Sequence, residues 1–243
     1  MNLQISQTPC ELTKIGTKYQ TDKATFHKYT HVYSKLFEAL GYNRDSDFTL
    51  LEIGFSQGCS HLMWREYFPN ATILAIDIKP WQWYQEREKS LGVPEKYKEI
   101  INIDFDKLFN EKFQLFVGDQ KDENLLSNIC EKFNTFDVII DDASHFDLET
   151  KISFEYLFPY LKNGSAYIIE DLHDLPGQRN RSIIDDIKEY NNCLGFKYLK
   201  NISDIKSVSY IRMAYDFGLS VVTPPYGNGA SDMGIIMKEK ADV

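Results

Sequence analysis

Short apolar runs alternate along the chain with stretches in which apolar residues recur at helical spacing. The runs predict strands at 49–54, 72–77, 113–117, 136–141, 165–170, 208–214 and 233–238. The amphipathic stretches predict helices near 28–40, 60–67, 122–133, 147–158 and 181–192. Strands that alternate with helices are typical of a doubly wound α/β fold, whose sheet is mostly parallel. We therefore expect a Rossmann-like sheet of seven strands.

Two segments are longer than a minimal doubly wound α/β fold requires. Residues 1–45 precede the first strand and predict an N-terminal helical extension that contributes to the cofactor or substrate site, followed by one domain over 46–243. Residues 80–112 form an insertion that opens with the aromatic cluster Trp81, Trp83 and Tyr84. Such a cluster fits a lid or substrate platform, and equally a satellite hydrophobic cluster or a subunit contact.

The first strand runs into a glycine-containing turn. Gly54 and Gly58 bracket this turn, and Asp77 ends the second strand. Glycines at a strand-to-helix turn let a ligand approach the backbone, and a carboxylate at the next strand end can accept both hydroxyls of a ribose. Glu52 would disfavour a phosphate at this turn and suits a cationic ligand instead. A nucleoside cofactor is the favoured interpretation, and a dinucleotide or a coincidental turn are the alternatives.

The third strand ends at Gly118-Asp119. In a doubly wound sheet, ligands bind beyond the carboxyl ends of the strands. Asp119 could there accept a hydrogen bond from an adenine amino group, and the glycine would leave room for the flat base. By itself Gly-Asp is an ordinary turn sequence.

Acidic residues follow the fourth and fifth strands. Asp141 and Asp142 end one strand, and Glu170 and Asp171 end the other. Neighbouring parallel strands lie about 4.8 Å apart, so we expect these carboxylates on one rim of the sheet. They would repel one another unless a cation neutralised them, and oxygen ligands favour Mg²⁺ over zinc. The sequence therefore predicts a magnesium site.

His145 follows Asp142 by three residues. A histidine titrates near neutral pH and is suited to take a proton from a hydroxyl, whose acidity a nearby metal would increase. We expect His145 to be the catalytic base. The alternative is that it caps the helix that starts near residue 147.

The overall composition and charge exclude some classes of binding partner. The net charge of −9 argues against nucleic acid, which needs a concentrated basic face. No apolar run is long enough for a membrane helix, and the first residues lack the features of a signal peptide. The four cysteines do not have the spacing of metal ligands. We expect a cytoplasmic protein with reduced thiols, neither membrane nor nucleic-acid partner, and surfaces that allow a homo-oligomer.

Together these motifs resemble the Mg²⁺-dependent sugar O-methyltransferases of antibiotic biosynthesis, which have the class I fold and use S-adenosylmethionine (SAM). The resemblance spans residues 16–171 and rests on Thr21-Asp22-Lys23, His27, Tyr29, Leu51-Glu52-Ile53-Gly54, Met63-Trp64, 67–71, Ile76-Asp77, Gly118-Asp119-Gln120, Ile140-Asp141-Asp142, Ser144-His145, Phe154, Leu157-Phe158 and Glu170-Asp171. Ala143 replaces the glycine that this family usually has before Ser-His.

The resemblance implies a role for each of several residues. Mg²⁺ would be held by Asp142, Glu170 and Asp171, with His145 as the base. The residues expected to bind SAM are Thr21, Lys23, Glu52, Gly54, Ser56, Ser60, Asp77, Asp119, Gln120 and Asp141. The acceptor would be a hydroxyl of a small molecule, in this family a sugar.

Other functions remain open at this point. A phosphate-derived or other oxygen acceptor would chelate Mg²⁺ equally well. An oxidoreductase or epimerase would need a phosphate-binding glycine turn. A non-catalytic scaffold would have no use for the acidic cluster.

Overall fold

The computed structural model describes residues 9–92, 98–172, 205–212 and 232–239. Its helices are α1 (Glu11–Lys18), α2 (Asp22–Thr25), α3 (Tyr29–Leu40), α4 (Cys59–Tyr67), α5 (Trp81–Leu91), α6 (Glu123–Phe133) and α7 (Asp147–Leu157). Its strands are β1 (Thr49–Ile53), β2 (Thr72–Asp77), β3 (Phe113–Val117), β4 (Phe136–Asp141), β5 (Leu161–Leu172), β6 (Ile205–Arg212) and β7 (Asp232–Lys238). Short 3₁₀ turns lie at Ile100–Asn102, Phe105–Lys107 and Phe158–Tyr160.

The chain divides into two compact units, residues 1–119 and 120–243. In the first unit the strands are ordered β3-β2-β1, and both pairs are parallel. The apolar side chains of β1 and β2 are buried on both faces, as continuous apolar runs in a parallel sheet require.

The helices of the first unit pack closely. A Cβ atom at Gly16 of α1 would lie 2.6 Å from Cβ of Ala24 and 2.8 Å from Sδ of Met63, so α1 approaches α2 and α4 at a point where only glycine fits. Trp64 of α4 is fully buried, with its ring 5.1 Å from that of Tyr33 and 5.8 Å from that of Phe37. Aromatic burial on this scale ties α3 to α4.

In the second unit β4 pairs with β5 in parallel, whereas β7 is antiparallel to both β5 and β6. The β5–β7 pairing is irregular between Ile169 and Leu172, which is where β5 carries its acidic residues. Lys238, 5% exposed, ends β7 and donates to the carbonyl oxygens of Phe158, Pro159 and Leu161. This ammonium satisfies carbonyl groups that the end of a helix leaves without partners.

The predicted fold class is confirmed: the seven strands form a mixed, mostly parallel sheet with helices between them, as in the class I Rossmann-like fold. The predicted helical extension over 1–45 was given no separate bounds for α1 and α2, α5 was not predicted, and β5 is longer than the predicted 165–170. The predicted helix at 181–192 lies outside the described residues. Within the described part of the chain, none of the helices has the length and apolarity to span a membrane.

Candidate active site

The turn after β1 depends on backbone conformations that suit glycine. Gly54 and Gly58 have φ of 107° and 78°, and Ser56 between them has φ of 50°. A Cβ atom at Gly58 would also lie 2.4 Å from Cζ of Phe105 and 2.7 Å from Cζ of Phe55. Conformation and space therefore both require glycine at the end of this turn.

Asp77 holds the turn in place. Its Oδ2 accepts hydrogen bonds from the backbone N–H groups of Phe55 (2.8 Å) and Ser56 (2.9 Å). Its Oδ1 accepts from the N–H of Lys79 (2.9 Å) and from the hydroxyl of Tyr84 (2.7 Å). The side chain predicted to bind a ribose thus also joins the end of β2 to the turn after β1.

Glu52 lies in a buried polar cluster with Lys23, His61 and Trp64. Glu52 is 0% exposed and Lys23 is 1% exposed, and the Lys23 ammonium lies 3.2 Å from Oε1 of Glu52. The indole N–H of Trp64 donates to Oε2 at 2.7 Å, and Nε2 of His61 lies 3.6 Å from the same atom. The cluster joins α2 and α4 to β1.

The charge of Glu52 is balanced within this cluster. Burial favours the neutral acid, but Lys23 and His61 outweigh it and the pKa of Glu52 is lowered. The carboxylate therefore has a cation already, in Lys23. The charge of Glu52 therefore does not call for a cationic ligand, as the sequence had suggested, and a cofactor contact of Glu52 or Lys23 stays a prediction.

The remaining predicted cofactor residues of the first unit differ in exposure. Thr21 precedes α2 and is buried, and Ser60 is buried with its hydroxyl 3.3 Å from Nδ1 of His61. Ser56 is exposed in the glycine turn, and Asp119 is half-buried after β3. The exposed and half-buried side chains remain accessible to a ligand.

Tyr19 and Lys23 have the Tyr-x-x-x-Lys spacing that is typical of one large class of nucleotide-dependent oxidoreductases. Their side chains interact with different carboxylates. The Tyr19 hydroxyl donates to Oε2 of Glu66 at 2.5 Å, whereas Lys23 pairs with Glu52. This arrangement does not support the oxidoreductase alternative.

In the second unit, Gln120 and Asp141 belong to a buried hydrogen-bond network. The Asp141 carboxylate accepts from the hydroxyls of Ser153 (2.7 Å) and Tyr167 (3.4 Å) and from the Gln120 amide (3.3 Å). The Gln120 carbonyl oxygen in turn accepts from the backbone N–H of Ser144 at 3.2 Å. The network therefore fixes the segment between β4 and α7, and cofactor contacts of Gln120 and Asp141 stay predictions.

Burial raises the pKa of Asp141 to about 6, although the hydrogen bonds of Ser153, Tyr167 and Gln120 act in the opposite direction. At neutral pH the side chain is therefore ionised. A buried carboxylate that accepts several hydrogen bonds is a rigid anchor for the residues that follow it.

Asp142, His145 and Asp171 each place one potential ligand atom within 4.8 Å of the other two. All three side chains are partly exposed. Nε2 of His145 lies 3.9 Å from Oδ1 of Asp142. Two of the three groups are carboxylates, whose oxygens suit a hard divalent cation. Two residues that follow β4 and one near the end of β5 thus form a candidate metal site. His145 was not expected within the donor group itself.

Glu170 is not part of this group. It is 1% exposed within β5, whereas Asp171, the next residue, has φ of 53° in the irregular part of the strand. His145 also has a left-handed backbone, with φ of 55°. Non-glycine residues adopt this conformation at a cost, and such residues concentrate at functional sites. Glu170 as a metal ligand stays a prediction.

The fold is that of the class I SAM-dependent methyltransferases. The mycinamycin-pathway methyltransferase MycE, solved in complex with Mg, SAH and mycinamycin VI, matches with a TM-score of 0.63 and 20% identity over 98% of this chain and 57% of its own. The O-methyltransferase TomG of Streptomyces achromogenes, solved in complex with SAM, matches with a TM-score of 0.52 and 14% identity over 98% of this chain and 92% of its own.

Curated relatives are also similar in sequence. L-olivosyl-oleandolide 3-O-methyltransferase of Streptomyces antibioticus is 29% identical over 174 residues, which cover 68% of this chain and 38% of the relative. Mycinamicin VI 2''-O-methyltransferase of Micromonospora griseorubida is 28% identical over 170 residues, 67% of this chain and 36% of the relative. The match thus spans well under half of these relatives. No family model matches the chain.

Proposed function

We propose that this protein is a SAM-dependent, Mg²⁺-dependent O-methyltransferase whose acceptor is a hydroxyl of a sugar or sugar-bearing small molecule. The observation that carries the proposal is the convergence of Asp142 and His145, which follow β4, with Asp171 near the end of β5. The similarity to curated O-methyltransferases named for glycosylated macrolides supports the substrate class.

The first unit supplies the proposed SAM site. Gly54, part-buried in the turn after β1, would leave the backbone there open to the cofactor because it has no side chain. Asp77 would accept a hydrogen bond from a ribose hydroxyl, and Asp119 would accept one from the adenine amino group. Further proposed contacts in this unit are Thr21, Lys23, Glu52, Ser56 and Ser60.

The second unit supplies the proposed metal site. Asp142 and Asp171 offer carboxylate oxygens, and their partial exposure leaves them accessible from solvent. When bound, Mg²⁺ supplies a positive charge that orients an acceptor hydroxyl and makes it more acidic. The buried network of Gln120, Asp141 and Ser153 would hold this segment rigid, which lowers the cost of bringing two carboxylates together.

His145 is the proposed base. The acceptor hydroxyl would give its proton to a ring nitrogen of His145 as its oxygen forms a bond to the methyl carbon of SAM. The carbon–sulfur bond breaks with its electron pair left on sulfur, so the products are the methyl ether and S-adenosylhomocysteine. A positioned base of this kind contributes about 10²- to 10⁴-fold to a rate.

The experiment is methyl transfer from SAM to a panel of sugar-bearing acceptors by wild-type protein, His145→Ala and His31→Ala as the matched control. His145→Ala should lower turnover about 10²- to 10⁴-fold, because the general base is lost. Its affinity for S-adenosylhomocysteine, measured by calorimetry, should stay at the wild-type value.

Two results would contradict the proposed role. Unchanged turnover in His145→Ala would remove this residue from the reaction. A loss of S-adenosylhomocysteine binding in the same variant would show that the residue supports the structure instead. His31→Ala should leave both turnover and affinity unchanged.

A further inference from the structure

The Asp77 carboxylate is fully engaged by the protein itself. It accepts four hydrogen bonds, three from backbone N–H groups and one from the side chain of Tyr84. A carboxylate offers about four acceptor positions. A ribose hydroxyl can therefore donate to Asp77 only if one of the present donors leaves.

The four donors differ in how easily they can leave. The N–H groups of Phe55, Ser56 and Lys79 belong to the backbone of the glycine turn and of the end of β2, so their release would require this region to refold. Tyr84 reaches Asp77 from α5 through a side chain, at 2.7 Å. The phenol hydroxyl is the donor that can be exchanged for another hydroxyl.

Helix α5 is attached in a way that permits this exchange. None of its residues is buried, and Trp83 is 41% exposed. Its other contacts are mainly polar: the Gln85 amide donates to the carbonyl of Ile103 at 2.7 Å, and the Trp81 indole N–H donates to Asp106 at 3.0 Å. Since little apolar surface is covered, a shift of α5 sacrifices little hydrophobic stabilisation.

The phenol also stays a donor at physiological pH. Burial and the adjacent Asp77 raise the pKa of Tyr84 above its ordinary value. The hydroxyl therefore remains protonated and continues to compete for the carboxylate over the pH range in which an enzyme works.

We propose that Tyr84 occupies the ribose position on Asp77 and that α5 is a latch which the cofactor releases. The inference rests on the proposed SAM site. The Tyr84 hydroxyl donates to the oxygen that a ribose hydroxyl would use, so cofactor binding exchanges one donor for another. The latch lowers the net affinity for the cofactor and couples its binding to the position of α5.

The test is calorimetric titration of S-adenosylhomocysteine into wild-type protein, Tyr84→Phe and the control Tyr156→Phe on α7. Tyr84→Phe removes the competing hydroxyl and keeps the ring. Because a hydrogen bond to a charged group is lost only from the free protein, the variant should bind on the order of tenfold more tightly. Tyr156→Phe should bind like the wild type.

A second measurement follows the helix directly. Trp81 and Trp83 both lie on α5, so saturating wild-type protein with S-adenosylhomocysteine should change the intrinsic fluorescence. The change should be reduced in Trp83→Phe, whose remaining tryptophan on α5 is Trp81, and also in Tyr84→Phe, in which the helix is already released.

Equal or weaker binding by Tyr84→Phe would overturn the latch, and weaker binding would show that the hydroxyl assists the cofactor. Binding by the wild type with no fluorescence change would overturn the movement of α5. These outcomes leave the SAM site intact. Failure of S-adenosylhomocysteine to bind wild type, Tyr84→Phe or Tyr156→Phe would overturn the proposed function and the latch together.

Discussion

At the scale of single residues, the buried charges of the first unit are paired with one another. Lys23 neutralises Glu52, and Trp64 occupies the second carboxylate oxygen. A buried ion pair gains stability only where the remaining polar atoms are satisfied, so removing one partner costs far more than the pair contributes. The acidic residue before the glycine turn thus has a structural reason to be acidic, beside any contact with a cofactor.

His61 in this cluster makes stability depend on pH. Burial, with a further contribution from Lys23, lowers the pKa of His61 below its ordinary value of 6.5, although Glu52 acts in the opposite direction. The folded protein therefore excludes a proton that the unfolded chain binds. The stabilisation is present above pH 6.5 and is lost as the pH falls below that value.

We predict that the free energy of unfolding falls between pH 7.5 and pH 5.5 and that His61→Gln reduces this fall. One excluded proton contributes a slope of up to about 1.4 kcal/mol per pH unit. Urea denaturation of both proteins at each pH measures the difference, and the other histidines cancel because both proteins contain them. If the free energies of unfolding of the two proteins had the same pH dependence, His61 would not be the group responsible.

The candidate metal residues show what sequence could predict at this scale. Asp142 and Asp171 follow apolar runs, and the ends of parallel strands share a rim, so their proximity follows from the pattern alone. The absence of Glu170 from this donor group does not follow from the pattern. Glu170 is 1% exposed within β5, whereas Asp171 has a left-handed backbone where the β5–β7 register is irregular, and the local sequence indicates neither feature.

At the scale of elements, the long apolar runs were predicted well and the polar helices were not. The bounds of β2, β3 and β4 match the predicted ranges, because each strand is a mostly apolar run. Nearly all side chains of β2 and β4 are buried, whereas in β3 only Phe113 is. Helix α5 has no buried residue, so the sequence offers no apolar stripe to reveal it. Its role depends on one hydrogen bond to Asp77, which no hydrophobic pattern encodes.

Gly16→Ala tests the packing of α1. In an open helix this change would stabilise by about 0.5–1 kcal/mol. Here the added methyl group would meet Ala24 and Met63 at less than 3 Å, so we predict a net loss of about 1–3 kcal/mol. The shift in the midpoint of urea denaturation measures this loss of stability. Lys14→Ala, at an exposed position of the same helix, should have little effect. A Gly16→Ala protein as stable as the wild type would show that the helices separate without cost.

At the scale of the whole molecule, the alternation of strands and helices predicted the fold, and the proposed chemistry rests on the residues at the strand ends. Sequence similarity covers about two thirds of this chain and just over a third of the curated relatives. The acceptor class therefore depends on the proposed site and on those relatives, whereas the fold depends on the strands themselves. The proposed reaction depends on the donor group of Asp142, His145 and Asp171.

We propose that a divalent metal at this donor group is required for methyl transfer from SAM. The direct measurement is transfer of a labelled methyl group from SAM to the sugar-bearing acceptor panel, before and after dialysis against EDTA and after addition of Mg²⁺. We predict that EDTA abolishes transfer and that Mg²⁺ restores it to the wild-type protein, whereas Asp142→Asn does not recover. Transfer that persists undiminished after EDTA would show that no metal is required.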